Sequence, residues 1–160
     1  MAKQNMIKLL YEMMRNSKRS DRGIAKIIGV SQPTITRMRQ RLEKTGYIRD
    51  YTVIPNLEKL GYEIAAFTFI TVANSNPKSE NMNKWIESNP KIVLSAPGDG
   101  LNGKNSIIAS IHRDFTDYSK FMSELRSKWS ENIKDIDSFL LPLKGDIPKH
   151  FSFKYLQTPQ

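Results

Sequence analysis

Hydroxyl, cationic and amide side chains recur between residues 31 and 44 at a spacing that suits hydrogen bonding to an anionic partner. Five of them are Thr36, Arg37, Gln40, Arg41 and Lys44. Because an α-helix turns by about 100° per residue, this set would lie opposite the apolar residues Ile35, Met38 and Leu42. In the major groove of DNA, arginine can donate two hydrogen bonds to guanine, and glutamine can pair in both directions with adenine. The pattern therefore predicts base recognition by one exposed helix face.

Two short helices joined by a tight turn would position this face. Ser20 can cap the first helix, and Gly29 begins the turn. Ser31 can cap the second helix, Pro33 is tolerated in its first turn, and Gly46 can end it. Residues 20–46 therefore have the pattern of a helix-turn-helix.

Flanking segments extend this motif to a small domain. Residues 3–15 carry apolar side chains at helical spacing and predict a first helix. Residues 47–54 are rich in strand-forming types and predict a short wing. We therefore expect a winged helix-turn-helix DNA-binding domain over residues 1–54.

The positive charge is concentrated in the same part of the chain. Of a net charge of +9, residues 1–60 hold 13 Lys/Arg against 5 Asp/Glu, whereas the remaining residues hold 12 against 11. Such an excess favours phosphate neutralisation on nucleic acid, although a merely solvated basic surface has the same composition.

Other functional classes lack a sequence signal. The chain has no cysteine, and its two histidines, His112 and His150, are far apart in sequence, so no metal site and no cofactor is expected. The longest apolar run, Ile64 to Ala73, is half the length needed to span a bilayer, and no signal peptide is recognisable. We expect a cytoplasmic protein without membrane contact.

Beyond a linker at residues 55–62, strand and helix patterns alternate. The predicted order over residues 63–143 is strand, helix, strand, strand, helix, strand, with helices opening at Asn76-Pro77 and after Asp114. This order predicts an α+β chain whose second part is a ferredoxin-like βαββαβ domain with both helices on one face of the sheet. Because the strand at Ile64 to Val72 is apolar on both sides, we expect a homodimer formed through the helix-free face. The amino-terminal domain or the tail could cover that face instead.

The tail, residues 144–160, has alternating aromatic residues. Phe151, Phe153 and Tyr155 could form an edge strand on a partner subunit, and a disordered tail is the alternative.

The sequence resembles the Lrp/AsnC (feast/famine) family of transcription regulators up to about Gly145. The matching residues of the helix-turn-helix and hinge are Ile24-Ala25, Gly29-Val30-Ser31, Ile35, Arg37-Met38, Arg41-Leu42-Glu43, Gly46-Tyr47-Ile48 and Leu60-Gly61. The resemblance implies dimers that can assemble into tetramers or octamers. It also implies paired recognition helices on pseudo-palindromic double-stranded DNA, about 34 Å apart. Repression or activation modulated by a small-molecule effector, often an amino acid, is implied as well.

One loop departs from the family pattern. Residues 98–105, Gly-Asp-Gly-Leu-Asn-Gly-Lys-Asn, replace the family's short Gly-x-x-Asp loop. Gly98, Asp99, Gly103 and Asn105 could still offer backbone donors and a carboxylate to a zwitterionic effector. A plain hairpin loop is the other interpretation.

The site residues follow from these patterns. On or beside the recognition surface we place Ser31, Gln32, Thr34, Thr36, Arg37, Gln40 and Arg41, with Arg37 or Gln40 reading bases. Phosphate contacts are assigned to Lys18, Arg19, Arg22 and Lys44.

Two other functional classes are compatible with parts of this sequence. The winged helix could serve as a protein-interaction module, in which case an apolar and nearly neutral recognition face would be expected. The ferredoxin-like part could be an enzyme or ligand-binding module, but no catalytic spacing supports an enzyme. Phe67 and Phe69 on the first strand could stack on RNA bases, although the two-sided apolar strand favours burial.

Overall fold

The computed structural model describes residues 2–73 and 79–157, and the chain divides into two compact units. One unit holds the residues up to Ile54 and the segment from Lys149 onward, and the other spans Pro55–Pro148. The predicted helix opening at Asn76-Pro77 lies outside the described residues.

Three helices form the first unit: α1 (Ala2–Arg15), α2 (Asp21–Ile28) and α3 (Gln32–Lys44). Their apolar faces meet in one core, which contains Leu9, Met13, Ile24, Ala25, Ile35 and Leu42. Ile35 and Leu42 are fully buried, so the predicted apolar stripe of α3 does face the core. Burial of side chains this large contributes about 1.5–3 kcal/mol each, which fixes the opposite side of α3 toward solvent.

The helix ends follow from three residues. The Ser20 hydroxyl accepts a hydrogen bond from the Gly23 N–H at 3.2 Å and caps α2, and Ser31 accepts one from the Thr34 N–H at 3.4 Å and caps α3. Gly29 ends α2 in the left-handed conformation, with φ of 80°. These two caps and this glycine set the tight turn between α2 and α3.

Residues 47–54 do not form the predicted strand. The described part of this unit holds no second strand that could pair with them, and an isolated extended segment has no ladder of hydrogen bonds. The segment is instead tied to α3, because the Ile48 N–H donates to the Leu42 carbonyl and the Tyr51 hydroxyl donates to Glu43 at 2.6 Å.

The tail also differs from the expected edge strand. Phe153–Tyr155 form one turn of 3-10 helix that packs against α1. The Lys149 ammonium lies 4.4 Å from the centre of the Tyr155 ring, a cation–π contact that holds the segment in this form.

A four-stranded antiparallel sheet forms the second unit. Its strands are β1 (Ile64–Val72), β2 (Ile92–Pro97), β3 (Ser106–His112) and β4 (Ile133–Pro142), in the order β2-β3-β1-β4. Helices α4 (Ser79–Ser88) and α5 (Phe115–Trp129) connect them in the predicted ferredoxin-like sequence. A single 3-10 turn, Glu58–Leu60, precedes the sheet within the predicted linker.

Both helices cover the same face of this sheet. Ile70 of β1 and Ile108 of β3 are fully buried beneath Phe121 and Leu125 of α5, and Trp85 of α4 stacks on Phe121 with ring centres 6.0 Å apart. The opposite face carries exposed apolar side chains, with Phe69 37%, Leu94 52% and Phe139 63% accessible. No helix among the described residues is long and apolar enough to cross a membrane.

Candidate nucleic-acid interface

Helix α3 presents a polar, cationic surface on the side away from its core. An open, shallow concavity in this surface is lined by Gln32, Pro33, Thr36, Arg37 and Gln40. Arg41 and Lys44, in the last turns of the same helix, are exposed. The structure therefore brings together the residues that the sequence assigned to base recognition.

Within this surface some polar groups are already hydrogen-bonded to the protein and others are available to a ligand. The Arg37 Nε donates to the Pro33 carbonyl at 3.4 Å, its terminal nitrogens have no hydrogen-bond partner among the described residues, and Gln40 is exposed. Ser31 and Thr34 are joined by a 2.8 Å hydrogen bond between their hydroxyls at the start of α3. Ser31 and Thr34 thus shape the helix terminus that borders the concavity.

The four predicted phosphate-binding cations differ in their exposure and in their ion pairing. Lys18, Arg22 and Lys44 are exposed. Arg19 is half-buried and forms an ion pair with Glu12 of α1, which also binds Arg15 at 2.6 Å. Arg19 would have to leave this carboxylate to contact a phosphate, a competition that no local sequence pattern indicated.

An ion pair between α2 and α3 is a further feature that sequence reasoning missed. Asp21 Oδ1 accepts hydrogen bonds from Arg39 Nη2 at 2.5 Å and Nε at 3.1 Å, while its Oδ2 accepts one from the Thr36 hydroxyl at 2.9 Å. Partial burial acts to raise the pKa of Asp21, but the hydrogen bonds from Arg39 and Thr36 outweigh it and hold the pKa below its ordinary value. The carboxylate is therefore ionised and fully engaged at neutral pH.

The four candidate effector residues lie in the loop between β2 and β3. The Gly98 N–H donates to the Asn105 carbonyl at 3.0 Å, so the two ends of the loop are adjacent. The Asn105 side chain bonds both backbone groups of Val72 at 2.8 Å and anchors the loop to β1. Asp99 is exposed, and the Gly103 carbonyl accepts from Thr71. Of the four candidate effector residues, Asp99 is thus the one whose charged side chain is accessible to a small molecule in solution.

Within this loop a buried lysine pairs with two carboxylates of β4, a contact that no local sequence pattern indicated. The Lys104 ammonium forms ion pairs with Asp135 and, at 2.8 Å, with Asp137 of β4. The hydrogen bond with Asp135, followed by that with Asp137, raises the pKa of Lys104 above its ordinary value. The two carboxylates therefore compensate the positive charge of Lys104 and anchor the end of the loop to β4.

A serine, a histidine and an aspartate also meet in the second unit. The Ser110 hydroxyl lies 2.8 Å from His112 Nε2, and His112 Nδ1 lies 3.8 Å from Asp117 Oδ2. Ser110 and His112 are both fully buried, and the histidine ring packs on Tyr118 and Phe121. A nucleophile needs access to its substrate, so this group contributes to packing and offers no hydrolase site.

Comparisons with known proteins agree with the fold and with the helix-turn-helix. Residues 3–49 match the family model described as winged helix-turn-helix DNA-binding. The chain is 38% identical over 141 residues to the HTH-type transcriptional regulator FL11 of Pyrococcus abyssi, covering 88% of this chain and 78% of that protein.

Solved structures show the same architecture. That of AsnC from E. coli superposes with a TM-score of 0.70 at 16% identity and covers 94% of this chain and 96% of that chain. The regulator NMB0573 of Neisseria meningitidis, solved in complex with L-Met, gives 0.77 at 16% identity and covers 95% and 94%. The predicted α+β fold, a winged helix-turn-helix followed by a ferredoxin-like domain, is confirmed. With its helix-turn-helix, its sheet topology and its similarity to FL11, the chain belongs to the Lrp/AsnC family of DNA-binding transcription regulators.

Proposed function

We propose that this regulator reads specific duplex DNA by inserting the exposed face of α3 into the major groove. The observation that supports this most strongly is the combination of Arg37 and Gln40 at one open concavity, on the side of α3 opposite the fully buried Ile35 and Leu42. Arg37 and Gln40 supply the bidentate donors and acceptors that distinguish guanine and adenine. The surrounding cations supply the sequence-independent part of the affinity.

Roles follow from the freedom of each side chain. Arg37 and Gln40 contact bases, and Gln32, Thr36 and Arg41 lie within reach of base edges or the backbone. Lys18, Arg22 and Lys44 contact phosphates, while Arg19 joins them only by exchanging its Glu12 partner. Ser31 and Thr34 fix the helix terminus that faces the duplex.

Selection from a random-sequence duplex pool tests this proposal. The full chain should enrich a common motif, and single-base changes in it should each weaken binding by about 1–3 kcal/mol. Enrichment of no motif, together with equal affinity for all duplexes, would contradict specific recognition.

The same experiment separates the rival functions. A protein-interaction module would bind no duplex and would bind its partner with little salt dependence, whereas the proposed surface is cationic. Single-stranded RNA offered as competitor should not displace the selected duplex. Phe67 is half-buried, and Phe69, although 37% accessible, lies on the helix-free face that the proposed dimer covers. We assign no enzymatic activity, since the buried Ser110 and His112 lack access to a substrate.

We propose a homodimer formed through the helix-free face of the sheet. Phe69, Leu94 and Phe139 leave a large apolar surface exposed on this face, which single subunits rarely do. A two-fold dimer would also place two α3 helices on the half-sites of a pseudo-palindrome. Sedimentation equilibrium should give a dimer or a multiple of it, and Phe139→Asp should shift the chain toward monomer.

We propose the 98–105 loop as the place where a small effector acts, with Asp99 as the charged contact. The support is the exposed carboxylate on a loop whose ends are joined by the Gly98–Asn105 hydrogen bond, and the L-Met complex of the NMB0573 regulator. Calorimetric titration with the twenty amino acids tests it. Heat that is absent in Asp99→Asn but present in Asp146→Asn would support the assignment, and no heat with any amino acid would contradict an amino-acid effector.

We also propose that the predicted segments carry out separate tasks and that the protein is cytoplasmic. Residues 1–54 bind DNA, residues 55–62 act as a hinge, residues 63–143 sense and oligomerise, and residues 144–160 form a tail. Limited proteolysis should cut first within 55–62, and the fragments should separate DNA binding from oligomerisation.

A further inference from the structure

We propose that Asp21 is a positioning residue that sets which side chains of α3 face the DNA. Its carboxylate withholds Arg39 from the phosphates and holds the Thr36 hydroxyl at the edge of the recognition surface. This inference rests on the proposed insertion of α3 into the major groove.

The geometry shows that both oxygens of the carboxylate are occupied. Oδ1 accepts two hydrogen bonds from the Arg39 guanidinium, at 2.5 and 3.1 Å, and Oδ2 accepts the Thr36 hydroxyl at 2.9 Å. The Arg39 and Asp21 side chains are only 22% and 20% accessible. Partial burial shields the pair from solvent and salt, so it holds Arg39 more firmly than an exposed pair would.

Arg39 is held from a second direction as well. Its Nη1 lies 3.4 Å from the Met13 sulfur of α1, so one guanidinium joins all three helices of the unit. Arg37, in contrast, is exposed, and within the described part of the chain its hydrogen bond stays inside its own helix. The two arginines are two residues apart, yet only Arg37 is available to a duplex.

Thr36 belongs to both the ion-pair network and the recognition surface. It lines the concavity with Gln32 and Arg37. Its hydroxyl has a single hydrogen and two acceptors within reach, and the shorter contact, 2.9 Å to Asp21 Oδ2 against 3.3 Å to the Gln32 carbonyl, directs that hydrogen to Asp21. Since the hydroxyl hydrogen is directed toward Asp21, the oxygen presents its lone pairs to a ligand, and Thr36 can act as an acceptor toward a base amino group. Asp21 thereby keeps the Arg39 charge away from this part of the surface and leaves the Thr36 oxygen there as a hydrogen-bond acceptor.

Asp21→Asn tests the proposal on DNA selected with the wild-type chain and on a scrambled duplex of the same composition. The released Arg39 should reach a phosphate, so the plot of log affinity against log salt should steepen by about 1. Affinity for scrambled DNA should rise, and the ratio of selected to scrambled affinity should fall at least about fivefold.

The double variant Asp21→Asn/Arg39→Gln is the matched control, because it has the wild-type net charge. Its salt dependence should return to the wild-type slope, which assigns the added slope to Arg39. A slope in Asp21→Asn equal to that of the wild type, with only a lower melting temperature, would overturn the proposal, because a purely structural pair predicts that result.

Thr36→Val supplies a test that leaves the ion pair in place. It should lower discrimination at one or two base pairs without changing the salt slope, and unchanged discrimination at every position would refute the role of the hydroxyl. Failure of the wild-type chain to bind any duplex would instead refute the proposed function itself.

Discussion

Arg37 and Lys44 lie on the same exposed side of α3, but they can do different things. A guanidinium can donate two parallel hydrogen bonds to one base, whereas an ammonium acts as a point charge near a phosphate. We therefore expect Arg37→Ala to cost about 1–3 kcal/mol and to relax preference at one base position. Lys44→Ala should weaken all sequences alike and reduce the salt slope by about 1.

Fluorescence anisotropy on the selected duplex and its single-base variants measures both effects. If Arg37→Ala weakened every duplex equally, Arg37 would be a phosphate contact and the base-reading role would pass to Gln40.

A second prediction at this scale concerns the buried His112. Burial lowers the pKa of the imidazole; the Asp117 carboxylate opposes this, and the Lys91 ammonium adds to it. The folded unit therefore binds fewer protons than the unfolded chain between the lowered pKa and the unfolded value of about 6.5. The stability that His112 contributes is present above about pH 6.5 and is lost as the pH falls below it toward the lowered pKa.

The imidazole resonances of His112, followed by NMR, should show the ring titrating below the unfolded value of about 6.5. Urea unfolding should show a larger loss of stability between about pH 7.5 and about pH 5.5 in the wild type than in His112→Gln. A ring that titrates at or above the unfolded value would contradict the effect of burial.

Among the elements, the turn between α2 and α3 depends on the backbone of Gly29. Its φ of 80° is a conformation that side chains with a Cβ avoid, and no atom lies within 4 Å of the position a Cβ would take. Gly29→Ala should therefore destabilise the first unit by about 1–2 kcal/mol through backbone strain alone. Gly98→Ala, which also meets no atom within 4 Å and has no positive φ, should change stability by less than about 0.5 kcal/mol.

Chemical unfolding followed by circular dichroism measures both variants. Equal stability of Gly29→Ala and the wild type would show that another residue sets the turn.

Elements fixed by local signals could be predicted from the sequence, and those fixed by distant partners could not. Ser20 caps α2 and Ser31 caps α3, as their types and positions predict, because each capping hydrogen bond is formed within one helical turn. Residues 47–54 have strand-forming types, but the described residues of their unit include no strand that could pair with them, and Phe153–Tyr155 form a 3-10 turn on α1. Propensity alone cannot supply the missing partner.

The same distinction applies to the site. Helical periodicity was sufficient to place Arg37 and Gln40 on the exposed side of α3 opposite Ile35. The pairing of Asp21 with Arg39 joins residues 18 positions apart, and that of Arg19 with Glu12 joins residues 7 apart on different elements. Such pairs depend on how the helices and the segments between them pack together, and local sequence patterns do not determine that packing.

For the whole molecule, charge is not sufficient to explain DNA binding. A chain of net charge +9 attracts any polyanion, so affinity for DNA alone does not show where the duplex lies. Two variants that remove the same charge from different units distinguish general attraction from binding at α3. Arg37 and Arg41 are exposed in the first unit, and Arg113 and Arg126 are exposed in the second.

The most direct test compares the duplex affinity of Arg37→Ala/Arg41→Ala with that of Arg113→Ala/Arg126→Ala at one salt concentration. Loss of two direct contacts at α3 should weaken binding to the selected duplex at least about tenfold, while the charge-matched variant of the second unit should change it by less than about threefold. Equal losses in the two variants, or a greater loss in the second, would contradict the placement of the duplex on α3.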